Sequence, residues 1–175
     1  MDSELIPVSI DSIRVSLVSP HRIVVLKDED DRFLPIWIGP FEAEAITIAL
    51  QKQEVARPLT HDLLKSIISE VGGKPSHVVV SDLRDDTFFA RIVVNLDKRQ
   101  IELDSRPSDA IALAVRLQIP IYVAEDVMDK ASIRPSQNAE SAAPAEDEKL
   151  DAFRDLIEDL DMDGLGKGGD SPKEE

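Results

Sequence analysis

Two rhythms of apolar residues take turns along this chain. Ile13–Val18, Arg22–Lys27 and Phe33–Ile38 alternate or form short unbroken runs, and predict three strands separated by Ser19-Pro20 and by a charged, solvated tip at Asp28-Glu29-Asp30-Asp31. The spacing then tightens. Ala43, Ala45, Ile46, Ile48, Ala49 and Leu50 predict a helix over Phe41–Gln51 that is apolar nearly all round and opens at Gly39-Pro40. A second helix, from about His61 to Val71, carries Leu63, Leu64, Ile67, Ile68 and Val71 as its core face, with Thr60 as cap and Gly72-Gly73 as stop. Strands return at Ser76–Leu83, Thr87–Leu96 and Gln100–Asp104, with turns at Arg84-Asp85-Asp86 and Asp97-Lys98-Arg99. A central helix runs from Pro107 to about Leu117, followed by a short strand at Pro120–Ala124 and a short helix at Asp126–Ala131.

The order strand, strand, strand, helix occurs twice. A shift of 65 residues lays Ile36, Ile38, Glu44, Ala45, Ile46, Ile48, Ala49 and Leu50 on Ile101, Leu103, Asp109, Ala110, Ile111, Leu113, Ala114 and Val115. Pro40 and Pro107 are 67 apart, so the two elbows differ by two residues. The pattern predicts an α+β fold of duplicated β-β-β-α units with mostly antiparallel sheet and buried helices, related by pseudo-two-fold symmetry. Helices apolar on nearly all faces need more cover than one sheet offers, which leads us to expect a homo-oligomer.

The second elbow, Asp104-Ser105-Arg106-Pro107-Ser108-Asp109, concentrates the chemistry. Pro107 suits the first helical position, Ser105 or Arg106 the cap, and Asp109 the first turn, where a carboxylate meets the positive end of the helix dipole. Free N–H groups at such a terminus, with the fork of Arg106, suit phosphate or carboxylate. Asp104 and Asp109 are a candidate pair for Mg²⁺. An entirely structural reading is open as well: Ser105 and Asp109 cap, and Arg106 pairs with a neighbouring acid such as Asp104. Glu42 and Glu44 hold the matching place in the first copy. His61-Asp62, just after Arg57-Pro58-Leu59-Thr60, is either a base or metal ligand with its acid, or a helix start with a dipole-friendly Asp. His21 and His77 flank strands and are expected at the surface.

Composition narrows the field. A chain of 175 residues, 42% hydrophobic, holds one domain and a tail. There is no cysteine, which excludes disulfides, thiolate metal sites and a cysteine nucleophile. No apolar run approaches the ~20 residues of a membrane span, and Met1-Asp2-Ser3-Glu4 shows no signal peptide, so a cytoplasmic protein without membrane association is expected. The net charge is −15, of which residues 136–175 carry −9 and the rest −6. Such a body exerts no general pull on phosphate backbones, so nucleic acid would bind through a local site or bound divalent metal.

Residues 1–134 read as the folded domain, 135–148 as a flexible linker, and 149–175 as an acidic tail. In the tail, Leu150, Phe153, Leu156, Ile157 and Leu160 recur at helical spacing, a short amphipathic helix fit to dock on a protein or on its own body. Asp159-Leu160-Asp161-Met162-Asp163-Gly164 imitates the opening of a calcium loop, but Gly166 and Asp170 depart from it and no exit helix follows.

Leu34-Pro35-Ile36-Trp37-Ile38-Gly39-Pro40-Phe41-Glu42-Ala43-Glu44-Ala45-Ile46, Arg57-Pro58-Leu59-Thr60-His61-Asp62-Leu63 and Asp104-Ser105-Arg106-Pro107-Ser108-Asp109-Ala110-Ile111-Ala112-Leu113 resemble the bifunctional nuclease domain family, over about residues 5–133. The resemblance implies DNase and RNase activity of the kind credited to plant members, without an agreed set of catalytic residues. On residue type, the expected nuclease uses Mg²⁺ or Mn²⁺ held by Asp104, Asp109, Glu42 and Glu44. Arg106, Ser105, Ser108 and Arg57 would take the substrate, and His61, Asp104, Arg106 and Asp109 would carry the chemistry. Two rival expectations stand beside it: a non-catalytic oligomeric module binding an anionic ligand or protein at the elbow 104–109, and a scaffold whose function lies in the tail helix.

Overall fold

Inward-facing apolar residues on seven strands set the architecture. A computed structural model describes residues 4–15 and 21–134. The strands are β1 (Leu5–Val15), β2 (Arg22–Lys27), β3 (Phe33–Ile38), β4 (Gly73–Arg84), β5 (Thr87–Leu96), β6 (Arg99–Ser105) and β7 (Ile121–Ala124). The helices are α1 (Pro40–Leu50), α2 (Thr60–Glu70), α3 (Pro107–Leu117) and α4 (Glu125–Ala131). One sheet contains all seven strands in the order β3-β2-β1-β7-β4-β5-β6. Every neighbouring pair is antiparallel except β4 with β7. Two three-stranded meanders thus flank β7, and each runs into a helix, α1 or α3. The tail and its amphipathic pattern lie outside the described residues.

The strand β1 begins eight residues earlier than the sequence pattern predicts. Ile6, Val8 and Ile10 pack on the core while Leu5, Pro7 and Ser9 face out, an alternation that Pro7 obscures. Pro7 is tolerated because β1 changes partner along its length: Leu5–Val8 pair with β7, and Ser9–Val15 with β2. The acidic tip of the β2–β3 hairpin is also less solvated than its composition implies. Asp28 is buried, accepting from the backbone N–H groups of Asp30 and Arg32, and its carboxylate pairs with Arg32 at 2.6 Å. Arg32 reaches on to Glu125 of α4 at 2.9 Å, fastening that helix to the hairpin.

The helix α3 is the core element. Ala110, Ile111, Ala112, Leu113 and Ala114 are all buried, among residues of α1, α2 and the sheet of the same chain. Its cover therefore requires no second subunit. Exposed apolar side chains sit elsewhere, at Phe41 and Leu50 of α1. Of the core face expected for α2, only Leu64 and Ile68 pack inward. Leu63, Ile67 and the capping Val71 are exposed, because a single edge of this helix meets the core. His77 is half-buried rather than at the surface, edge-on to Tyr122, and His21 meets Trp37 in the same way.

The repeat is real, but its helical register differs from the best sequence shift. Pro40 and Pro107 each open a helix at the first position, and β3 and β6 end at Ile38 and Ser105, so strand ends and helix starts correspond at 67 residues. Glu42, not Glu44, is the counterpart of Asp109. The two repeats meet through their helices, since α1 packs beside α3 and Arg106, next after β6, bonds Glu42 of α1.

Burial predicts the mutational consequence. Ile111→Ala, at a fully buried position, is expected to lower the unfolding free energy by about 2–5 kcal/mol in urea titration. Phe41→Ala, at a position 81% exposed, is expected to change it by less than about 0.5 kcal/mol.

Candidate functional site

Three helices each place an acid at their third position, and each acid is matched by an arginine. Glu42 on α1 accepts from Arg106 Nη1 at 2.8 Å. Asp109 on α3 accepts from Arg106 Nε at 2.7 Å and Nη2 at 3.1 Å, a two-pronged pairing. Asp62 on α2 accepts the Leu59 backbone N–H at 2.9 Å and Arg116 Nε at 2.9 Å. Proline at the first position starts α1 and α3 without a side-chain cap at Gly39 or Arg106. The carboxylates near the helix starts answer the positive dipole ends instead.

Arg106 is the cap residue of α3, and it closes the gap between the repeats. Gly39 is its counterpart in the first. A Cβ at Gly39 would collide with the Glu42 carboxylate, so glycine leaves the room in which that carboxylate sits. His61, buried at the start of α2, brings Nε2 within 3.1 Å of Asp109 Oδ1. With Asp109 ionised, Nε2 carries the hydrogen and donates it to the carboxylate.

Burial raises the Asp109 carboxyl's pKa, but hydrogen bonds from Arg106 and His61 outweigh it and hold the group below the ordinary carboxylate range. Arg106 is correspondingly held in its charged form, chiefly by Asp109 and also by Glu42. The site is open. Phe41, Glu42, Glu44, Leu59, His61, Arg106 and Asp109 line a cleft of about 580 Å³ between the starts of α1 and α2.

The expected residues divide in two. Glu42, His61, Arg106 and Asp109 come together. Glu44 is exposed on the rim of the cleft, and Arg57 is exposed in the segment between α1 and α2. Asp104 is exposed on β6, its backbone paired with Arg91. Ser108 is buried at the second position of α3 and lines a neighbouring cleft. Ser105 turns inward, and among the described residues its Oγ is the buried side-chain polar atom without a hydrogen-bond partner. No group of three or more His, Asp and Glu side chains among the described residues converges on a metal-sized point. The carboxylates of Glu42 and Asp109 close on the Arg106 guanidinium instead, so a divalent ion has no ready-made cage here.

Sequence reasoning missed two things: the Asp62–Arg116 pair, which fixes α2 to α3, and the exposure of Phe41. The first carried half a signal, an acid at a helix start, but its arginine lies 54 residues further on, with nothing in the local pattern to join them. The second carried none, because Phe41 fell within an apolar helix pattern.

Two outcomes follow. The depressed pKa of Asp109 means that its ion-paired form stabilises the fold above the ordinary carboxylate range, and that this contribution is lost as pH falls through the depressed value. Removing Arg106 leaves burial less opposed. The Asp109 midpoint, followed by carboxyl-carbon NMR, is expected below the usual ~3.9 in the native chain and distinctly higher in Arg106→Ala. Ser105→Ala, which removes an unsatisfied buried hydroxyl, is expected to leave the urea midpoint unchanged or raise it; a loss of more than about 1 kcal/mol would show that the hydroxyl has a partner.

Comparison with known proteins gives a consistent result. Residues 24–136, which include Glu42, His61, Arg106 and Asp109, match the bifunctional nuclease domain. An uncharacterised protein of Mycobacterium tuberculosis is 36% identical over 154 residues, 86% of this chain and 92% of that protein. Bifunctional nuclease 1 of Arabidopsis thaliana is 29% identical over 132 residues, 73% of this chain and 41% of the plant protein. Bifunctional nuclease 2 of the same plant is 32% identical over 110 residues, 60% of this chain and 33% of that protein. This chain therefore corresponds to less than half of either plant protein.

Proposed function

The chain belongs to the bifunctional nuclease domain family, and on that premise we propose that it hydrolyses phosphodiester bonds of DNA or RNA in the cleft floored by Arg106, Asp109 and His61. The observation that carries the proposal is one guanidinium shared by carboxylates of both repeats beside a histidine oriented by one of them. In this reading Arg106 takes a non-bridging phosphate oxygen. Asp109 holds His61 in one tautomer, and His61 takes the proton from the attacking water as its oxygen bonds to phosphorus; the P–O bond to the leaving oxygen breaks, and that oxygen takes a proton from solvent. Glu42 keeps Arg106 in place until substrate arrives.

Charge sets a condition on this chemistry. With His61 neutral, Arg106 is outnumbered by Glu42 and Asp109, and a phosphate adds a further negative group. Divalent metal enters the proposal on that ground: Mg²⁺ or Mn²⁺ would supply the missing positive charge and leave His61 neutral, as a base must be. The second reading is a non-catalytic module that binds an anionic ligand or a protein at the same elbow. Its support is that the Arg106 donors already have partners and that the surroundings are acidic.

The deciding experiment is cleavage of single- and double-stranded DNA and RNA by purified protein in Mg²⁺, Mn²⁺ or EDTA, beside His61→Ala, Arg106→Ala, Asp109→Asn and Asp104→Asn. The proposal expects cleavage that falls at least about a hundredfold in the His61, Arg106 and Asp109 variants while circular dichroism shows them folded. Activity in EDTA equal to that in Mg²⁺ would remove the metal. Equal activity in wild type and all variants, or none in wild type, would favour the binding module.

A further inference from the structure

Arg106 stands between two different clefts and lines both. One is the cleft of about 580 Å³ that holds His61 and Asp109. The other, about 260 Å³, lies between the end of β3 (Ile36, Trp37, Ile38), the β4–β5 hairpin (Asp86, Thr87, Phe88) and the start of α3 (Pro107, Ser108). Each has an exposed aromatic ring on its wall: Phe41, 81% exposed, in the larger, and Trp37, 59% exposed, in the smaller. A single exposed apolar residue needs no explanation, but two aromatics flanking one buttressed arginine form an arrangement.

We infer that the two clefts take one internucleotide step of a single strand, with the backbone phosphate at Arg106 and the base on either side stacked on Trp37 and Phe41. The inference rests on the nuclease reading for its ligand class and deepens it by naming single-stranded nucleic acid. Unpaired bases offer their faces to aromatic side chains, whereas in a duplex those faces are covered by neighbouring pairs. The acidic body explains why stacking is needed. With no broad positive field to gather phosphates, contact at the site must supply the affinity, and aromatic stacking is indifferent to sequence and little affected by charge. Both rings stand next to Gly39-Pro40, whose sharp exit from β3 into α1 sends Trp37 to one cleft and Phe41 to the other.

Trp37 is the only tryptophan in the chain, so intrinsic fluorescence reports on the smaller cleft directly. The full chain would be titrated in Mg²⁺ with a phosphorothioate oligothymidylate, and in parallel with a blunt duplex of equal length. Saturable quenching by the single strand and none by the duplex is expected, and Phe41→Ala should weaken it about five- to a hundredfold, the worth of one stacked base. In the cleavage assay Phe41→Ala and Trp37→Phe should raise KM and leave kcat unaltered. Quenching by the duplex at the same concentration, or unchanged affinity in Phe41→Ala, would overturn the inference. So would a change in sedimentation of the two variants without one in affinity, which would mean that the rings meet a second copy. Wild-type cleavage with KM unmoved in both variants removes the inference and leaves the nuclease reading standing. Saturable single-strand quenching without cleavage does the reverse.

Discussion

Two helices that begin side by side present each other with positive dipole ends, and the structure turns on how that repulsion is met. Glu42 and Asp109 put a carboxylate at each helix start, which answers the dipoles but sets two negative groups close together. Arg106 bonds both and resolves the second conflict. The packing of α1 beside α3 and the position of α2 against α3 through His61 both converge on this pairing. Because Arg106 is 65% exposed along its side chain, the arrangement is open to water and to a ligand. Its part in stability is smaller than its part in placing the groups.

Duplication supplies the symmetry, and departures from it supply the chemistry. At the capping position one repeat has Gly39 and the other Arg106, so a single guanidinium serves both acids. The α2 helix, inserted after the first repeat only, adds His61 on the side of Asp109 and leaves Glu42 without a histidine. A symmetric pair of elbows would have offered two identical anion sites. The asymmetric pair offers one site with a cation, a histidine and an orienting carboxylate.

Much of the fold was legible because strand and helix periods are local. The two meanders, the four helices within a residue or two, and the centrality of Ala110–Val115 follow from spacing alone. The first half of β1 was hidden by Pro7, which is permitted there only because that stretch has a single paired side. The repeat register slipped by two residues since apolar residues at helical spacing match at several offsets, whereas the prolines mark the true starts. At the site, Arg106 and Asp109 are three residues apart and their pairing could be read from the sequence, but Glu42 lies 64 residues away from Arg106 and His61 lies 48 from Asp109. Such contacts depend on how α1 and α2 pack against α3, and no local pattern encodes that.

The strand β7 is nearly the last element of the described chain, yet it sits in the middle of the sheet, between β1 and β4. Each meander can form its own hairpins as it leaves the ribosome, but their strands cannot be bridged into one sheet before Ile121–Ala124 emerges. Until then the facing sides of β1 and β4 are open edges with apolar residues beside them, the kind of edge that pairs with a neighbouring chain. Synthesis that stops short of residue 121 would leave two half-sheets with no seam. The protein's exposure to aggregation is thus set by the timing of its shortest strand.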